Sequence, residues 1–156
     1  MPGSCLYAVV GENRIEELSE LRMEFIRELH PELSGPRLGE IAAGSRAYIE
    51  WLLADGAYVG FIGVLDSAIV CTAALLVYRL PPLASAEPRK VGHVLNFFTR
   101  KAYRGNGYGR GLMEYIQEYG RERGFHRLFL NATEDGYPLY RKCGFTDAPK
   151  AMEYTF

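Results

Sequence analysis

The sequence contains few cysteines, and they do not form a metal-ligand pattern. Cys5, Cys71 and Cys143 lie far apart along the chain, and none belongs to a CxxC pair. Structural zinc sites and thioredoxin-type redox centres need cysteine or histidine residues at short, fixed spacings. We therefore expect buried free thiols in a reducing cytoplasm, and we expect no metal site.

The sequence also lacks an excess of charge of either sign. Its 18 Lys and Arg residues nearly balance its 19 Asp and Glu residues, so the formal net charge is −1. A general nucleic-acid binder would carry a broad basic excess. We therefore expect no nucleic-acid partner.

Long hydrophobic runs are scarce as well. The longest candidate, residues 61–78, contains one charged residue, Asp66, and the pair Asp66-Ser67 interrupts it in the middle. Two buried strands joined by a tight turn explain this stretch better than a membrane span does. The beginning of the chain, MPGSCLYAVV, has no basic region before its apolar run, as a secretory signal would. We expect no membrane association.

The remaining composition is that of an ordinary globular protein. The chain has 156 residues, of which 48% are hydrophobic and 24% charged, and it shows no repeat and no linker. We therefore expect one domain over residues 1–156.

The most informative segment is glycine-rich and spans residues 104–111, RGNGYGRG. It follows the apolar run HVLNFFT and precedes a stretch whose apolar residues recur with helical spacing. Glycines at a helix start let the backbone approach a ligand, and the free N–H groups of the first turn bind anions. Arg100, Lys101, Arg104 and Arg110 add positive charge to the same stretch. The segment predicts a site for a phosphate-bearing ligand.

Several interpretations of these glycines must be compared. A P-loop would need Lys-Ser or Lys-Thr after them, and neither follows. The dinucleotide motif G-x-G-x-x-G fails from Gly105 and from Gly107, although Glu134 follows the next predicted strand, where a ribose-binding acid could lie. A glycine-rich turn without any ligand is also compatible with the segment. The remaining pattern, R-x-x-G-x-G, is matched by Arg104, Gly107 and Gly109.

This last pattern resembles the pyrophosphate-binding motif of the GNAT superfamily of N-acetyltransferases, which use acetyl-coenzyme A. Residues 135–145, DGYPLYRKCGF, resemble the second hallmark of that superfamily, a short helix that closes on Gly-Phe. Both motifs occur in the right order and spacing, and the resemblance is strong over residues 91–156. It implies the GNAT acyl-CoA N-acyltransferase fold, an α/β fold with a mixed, mostly antiparallel central sheet and flanking helices.

Periodicity and turn residues predict the order βααβββαβαβ. We expect Asn13 to cap the first helix, Pro31 to end it, and residues 30–39 to form a loop before a second helix that contains Ala47–Leu52. Gly144 suits the left-handed residue after the short helix, and Phe145 starts a further strand. The predicted strands are 5–10, 57–65, 69–78, 91–99, 127–132 and 152–156, and the later helices are 108–123 and 137–142.

The resemblance also implies which residues hold acetyl-CoA. The pyrophosphate loop comprises Arg104, Gly105, Asn106, Gly107, Tyr108, Gly109 and Arg110. The main chain of Phe97, Phe98 and Thr99 would pair with the pantetheine arm, and a backbone N–H there would polarise the thioester carbonyl.

Two side chains are candidates for catalysis. Tyr140 occupies the position where many of these enzymes carry a tyrosine that protonates the departing thiolate, and the alternative is that its ring only packs. His93 resembles the base of some branches, and the alternative is a half-exposed strand histidine. Glu28 and Asp135 are the other candidates for the base.

The sequence thus predicts an acetyl-CoA-dependent N-acetyltransferase in which an amine attacks directly within a ternary complex. We expect a small-molecule primary amine as acceptor, held near residues 28–39 and 80–90. The alternatives are a non-catalytic acyl-CoA-binding sensor or interaction domain, and a protein or peptide N-acetyltransferase. A homodimer is left open.

Overall fold

One five-stranded sheet lies between two pairs of helices. The computed structural model describes residues 4–156. Residues 1–3, which belong to the predicted domain and to the N-terminal segment considered above, lie outside the described residues. The strands are β1 (Leu6–Val10), β2 (Tyr58–Leu65), β3 (Ala68–Leu80), β4 (Arg89–Thr99) and β5 (Arg127–Phe129), and the helices are α1 (Ile15–Leu29), α2 (Pro36–Ala54), α3 (Tyr108–Glu122) and α4 (Tyr137–Lys142).

The strands lie in the sheet in the order in which they occur in the chain. The first three pairings are antiparallel, and only β4 and β5 run parallel. The mixed, mostly antiparallel sheet predicted from the sequence is therefore confirmed.

The apolar stretch 61–78 forms most of a hairpin, as predicted. Its turn residues Asp66 and Ser67 have φ angles of 46° and 68°. Positive φ at both central residues matches the right-handed twist of the two strands. Among residues 4–156 we find no helix with the length and apolar character that a membrane span requires.

The sheet separates two hydrophobic cores. On one face, Leu112, Met113 and Ile116 of α3 are fully buried against β2, β3 and β4, and α4 covers the edge of this core with Tyr140. On the other face, α1 and α2 contribute Leu18, Leu21, Ile49 and Leu52 to the second core. Each helix pair therefore has its own packing surface.

Two expectations about helix starts are wrong. The second helix begins at Pro36, inside the predicted loop, because proline at the first helical position already has a helical φ. Asn13 does not cap α1, because a 3₁₀ turn (Glu12–Arg14) precedes the helix and Arg14 takes the cap position.

The end of the chain also differs from the prediction. No strand forms at Phe145 or over residues 152–156, and the predicted strand 127–132 is shortened to β5. Met152, Tyr154 and Phe156 alternate as in a strand, yet their side chains are exposed. Alternation predicts a strand only where a partner edge pairs with it, and β5 offers an edge of three residues.

Candidate active site

The candidate site begins where β4 and β5 separate. The two strands pair only over Val91–His93 and Arg127–Phe129. Beyond His93 they diverge, and a cleft of about 900 Å³ opens between the second half of β4 and residues 130–136. The cleft lies beyond the carboxyl ends of two parallel strands, which is where open α/β sheets bind ligands.

The far end of the cleft is formed by the first turn of α3. Gly107 caps this helix with a φ of 83°, and its carbonyl accepts the first intrahelical hydrogen bond, from Gly111 N at 3.0 Å. The N–H groups of residues 108–110 therefore have no partner within the helix, and all three residues line the cleft. Free amides and the positive helix end make this turn a candidate anion site.

Gly109 leaves little room beside this anion site. A Cβ built on Gly109 would lie 3.0 Å from Thr99 Oγ1 and 3.6 Å from the ring of Phe97. Only glycine lets the helix backbone lie this close to the end of β4 without displacing a neighbour. Gly109 therefore brings the first turn of α3 into close contact with the end of β4.

The basic side chains near the loop are held by carboxylates. Arg104 pairs with Glu28 of α1 and donates to Thr99 O at 2.8 Å, and Arg110 pairs with Glu114 at 2.8 Å. Arg100 binds both carboxylate oxygens of Glu24 and does not line the cleft. The guanidinium groups of Arg104 and Arg110 are thus paired with carboxylates, whereas the first-turn amides of α3 have no partner within the helix.

The side chain of Asn106 stabilises the loop to which it belongs. Its side-chain amide donates to Tyr103 O at 3.2 Å and to Arg104 O at 3.1 Å, and it does not line the cleft. Gly105 lines the cleft with a φ of 79°. The loop thus presents backbone to the cleft and uses the asparagine to keep its shape.

Tyr140 lies on the α3 side of the sheet. Its ring packs edge-on against Phe97 with the ring centroids 5.6 Å apart, and it also contacts Phe145. Burial raises the pKa of the Tyr140 phenol, so the group stays protonated at neutral pH. A protonated phenol facing the cleft can donate a proton.

His93 lies on the opposite face of the sheet, at the point where the two strands separate. Its cross-strand neighbour is Leu76, which packs against the α1–α2 core. Its ring contacts Phe129 at 4.6 Å between centroids, and burial lowers the pKa of the imidazole. A neutral imidazole is the form that can accept a proton.

The other two candidates for the base are placed differently. Glu28 lines the cleft and forms the ion pair with Arg104. Asp135 lines the cleft and is exposed. Among these three groups, His93 alone is partly buried.

Only one of the two segments expected to shape the acceptor pocket contributes residues that line the cleft. Glu28 and Leu29 line the cleft, together with Phe25 of the same helix. Residues 80–90 do not line the cleft, because they lead into the first residue of β4 while the cleft opens towards its last. Leu29 is an exposed apolar residue at the end of α1.

The chain contains no obvious metal centre in the part that the structure describes. Over residues 4–156, no three His, Cys, Asp or Glu residues lie together as a ligand group. Cys5, Cys71 and Cys143 are free thiols.

Two features of the site can be compared with known proteins. One is the separation of β4 from β5, and the other is helix α3 with its glycine N-cap. The sequence profile of the acetyltransferase (GNAT) family matches residues 15–145. This chain belongs to that family. It is accordingly an enzyme of the acetyltransferase class, and the resemblance drawn from the two motifs is confirmed.

Named relatives and solved structures agree with this assignment. Glucosamine 6-phosphate N-acetyltransferase 1 of Oryza sativa subsp. japonica is 31% identical over 143 residues, which are 90% of this chain and 84% of that protein. The glucosamine 6-phosphate N-acetyltransferase of Trypanosoma brucei brucei is 31% identical over 84 residues, 54% of this chain and 55% of that protein, so the match spans about half its length. An acetyltransferase from Clostridium acetobutylicum, solved with acetyl-CoA, is 27% identical with a TM-score of 0.80, covering 97% of this chain and 96% of that one.

Proposed function

We propose that the protein transfers the acetyl group of acetyl-CoA to the primary amine of a small molecule, by direct attack within a ternary complex. The observation that carries the proposal is the cleft that begins at His93, passes Tyr140 and ends at the free amides of α3. Named relatives that act on glucosamine 6-phosphate support an amine acceptor of this size.

The residues of the cleft fit acetyl-CoA. The backbone of residues 107–110 would hold the diphosphate, since Gly109 lets the helix lie close to β4 and the first-turn amides are free. The edge of β4 over residues 94–99, which has no β5 partner, would hold the pantetheine arm through its main chain. Acetyl-CoA supplies an activated acyl group whose thioester carbonyl is electrophilic.

The chemical roles follow from the two faces of the sheet. His93 accepts a proton from the attacking amine, directly or through a water, on the face covered by α1 and α2. Tyr140 donates its phenolic proton to the departing thiolate on the face covered by α3 and α4. Main-chain N–H groups of β4 polarise the carbonyl between them.

Direct attack is favoured by the state of the cysteines. Burial raises the pKa of the Cys71 thiol to about 12, and burial also raises the pKa of Cys143. Both remain protonated near neutral pH, and a protonated thiol is a poor nucleophile. An acyl-cysteine intermediate therefore has no suitable carrier at these two positions.

The experiment combines purified protein, acetyl-CoA and a panel of amines, and follows the release of free thiol. The panel contains glucosamine 6-phosphate, glucosamine, a polyamine, an arylalkylamine and a peptide with a free N-terminus. We expect turnover with at least one small amine. Binding of acetyl-CoA without turnover of any amine would favour an acyl-CoA sensor or interaction domain, and turnover of the peptide alone would favour a protein acetyltransferase.

Two properties remain predictions. The cytoplasmic location was inferred from the free cysteines. The oligomeric state is open and can be measured by light scattering on the same preparation.

A further inference from the structure

Strand β4 contains a bulge in the middle of the candidate site. Thr72 of β3 pairs with Phe98, but Ala74 pairs with Leu95, so Asn96 and Phe97 together oppose the single residue Ala73. Asn96 has a φ of 52°, in the left-handed region that residues other than glycine rarely adopt. One extra residue has therefore been inserted into this strand.

The bulge changes which face the following side chains occupy. In a regular strand, Phe97 would share a face with Leu95, because side chains alternate with a period of two. Leu95 packs on the α1–α2 core, yet Phe97 packs against Tyr140 on the opposite face. Phe98 correspondingly contacts Phe25 of α1. Without the extra residue, every side chain from Phe97 onward would exchange faces.

The bulge thereby determines the positions of two side chains on the α3 side of the site, Phe97 and Thr99. It places the ring of Phe97 against the ring of Tyr140, and it turns Thr99 towards Gly109. These two contacts connect β4 to the candidate acid and to the anion site. A displacement of the bulge would therefore change both contacts.

A polar contact from the helical layer holds the bulge. Arg22 of α1 donates from Nη1 to Asn96 Oδ1 and from Nε to Ser45 Oγ of α2, the latter at 3.1 Å. Ser45 is 7% exposed, and Tyr58 beside this group is 6% exposed. Burial raises the pKa of Tyr58 to about 12, so its phenol stays neutral next to Arg22.

We propose that the Arg22–Asn96 contact is a positioning device for the reaction, which keeps the β4 bulge in place and thereby holds Phe97 against Tyr140. Asparagine suits this role because it tolerates a positive φ and its side chain can also accept the hydrogen bond from Arg22. The expected effect on kcat rests on the proposed function, whereas the expected effect on the position of Phe97 does not.

The test compares Asn96→Ala, Asn96→Gly, Arg22→Met and the double variant Arg22→Met/Asn96→Ala with the wild type. Arg46→Met is the matched control, because Arg46 also lies in the helical layer but forms only exposed ion pairs with Glu16 and Glu50. The readouts are kcat and KM for both substrates, coenzyme A affinity by calorimetry, and the nuclear Overhauser effect between the rings of Phe97 and Tyr140.

We expect Asn96→Ala and Arg22→Met to lower kcat by about tenfold to a hundredfold, since small displacements of a catalytic group have effects of this size. Coenzyme A affinity should fall less than kcat, because the first-turn amides of α3 are unchanged while the β4 main chain beside the pantetheine arm shifts with the bulge. Asn96→Gly keeps access to positive φ and should retain more activity than Asn96→Ala. The double variant should be no slower than Asn96→Ala, and the Phe97–Tyr140 signal should weaken in step with kcat.

Other outcomes would overturn the proposal. Wild-type kcat and an unchanged ring signal in Asn96→Ala and Arg22→Met would show that the contact does not hold the bulge. Multiplicative losses in the double variant would show independent roles. A rise in acceptor KM confined to the Asn96 variants would show that Asn96 binds the acceptor itself. If the wild type acetylates no amine, the proposed function fails, and the ring signal alone decides whether the contact positions Phe97.

Discussion

The phenol of Tyr7 donates a hydrogen bond to the main-chain carbonyl of Tyr108 at 3.0 Å. This contact joins the first strand of the sheet to the first turn of α3, 101 residues further along the chain. The Tyr7 ring lies directly over Gly111, where an added Cβ would overlap the phenol oxygen and lie 2.7 Å from Cζ. Strand β1 therefore helps to position the anion site although it does not line the cleft.

Replacing Gly111 with alanine should destabilise the protein and weaken coenzyme A binding. Alanine in place of a helical glycine ordinarily gains about 1 kcal/mol, but here the new methyl group displaces Tyr7. Gly120→Ala on the same helix is the control, because the nearest atom to its added Cβ is 3.7 Å away. Urea unfolding should show Gly111→Ala as less stable than wild type and Gly120→Ala as equally or more stable. Equal stabilities of the two variants would contradict this packing.

Replacing Gly109 with alanine should weaken coenzyme A binding by about tenfold to a hundredfold, the loss expected for one or two hydrogen bonds to a charged group. Alanine favours the helix over glycine by about 1 kcal/mol, which offsets the close contact with Thr99, so the melting temperature without ligand should stay near that of the wild type. Calorimetric titration measures the affinity. The double variant Thr99→Ala/Gly109→Ala relieves the 3.0 Å contact with Thr99 but keeps the methyl group at the amides. If this double variant bound coenzyme A normally, the effect would come from Thr99 and not from the anion site.

Replacing Tyr140 with phenylalanine should separate proton donation from packing. Phenylalanine keeps the ring contacts with Phe97 and Phe145 but removes the proton. If the phenol protonates the thiolate, kcat should fall by about tenfold to a thousandfold, within the range of general acid–base effects, while coenzyme A affinity is nearly kept. Steady-state kinetics and calorimetry provide both numbers. A kcat within twofold of wild type would leave Tyr140 with a packing role only.

The pH dependence should identify His93. Burial lowers the pKa of its imidazole, so the base stays neutral to a lower pH than an ordinary histidine, whose pKa is about 6.5. We therefore expect kcat/KM to stay constant as the pH is lowered to about 6.5, and to fall only at pH values below the ordinary histidine pKa. His93→Gln should lose most of the rate and this acidic limb together. The profile must be recorded with amines of different pKa, because the acceptor titrates too; an unchanged limb and rate in His93→Gln would exclude this residue as the base.

The sequence predicted the backbone beside α3 and α4 better than the rest. Gly107 and Gly144 have φ angles of 83° and 87°, as expected for glycines that cap α3 and follow α4. Such positions can be recognised from local sequence, because a left-handed residue beside a helix is usually glycine and depends on only a few neighbouring residues. The same locality explains why the turn at Asp66-Ser67 was predicted correctly.

Features that depend on distant partners were not predicted. The pairing of Arg104 with Glu28 and the contact of Arg22 with Asn96 join residues more than 70 positions apart, and neither leaves a pattern in the sequence. The bulge at Asn96 depends on Ala73 of the neighbouring strand. The predicted strand at 152–156 was wrong for a related reason. Alternation of apolar and polar residues is a property of one segment, and it does not show whether a sheet edge is available to pair with that segment.

The separation of the two hydrophobic cores has a consequence for protein engineering. Under the proposed function, the donor is held by α3 and α4 on one face of the sheet, while α1 faces the acceptor from the other. Substitutions at Phe25 and Leu29 alter the acceptor wall without touching the glycines that hold the donor. Libraries that seek a new acceptor can therefore be confined to the end of α1, provided that Arg22 and Asn96 are left unchanged.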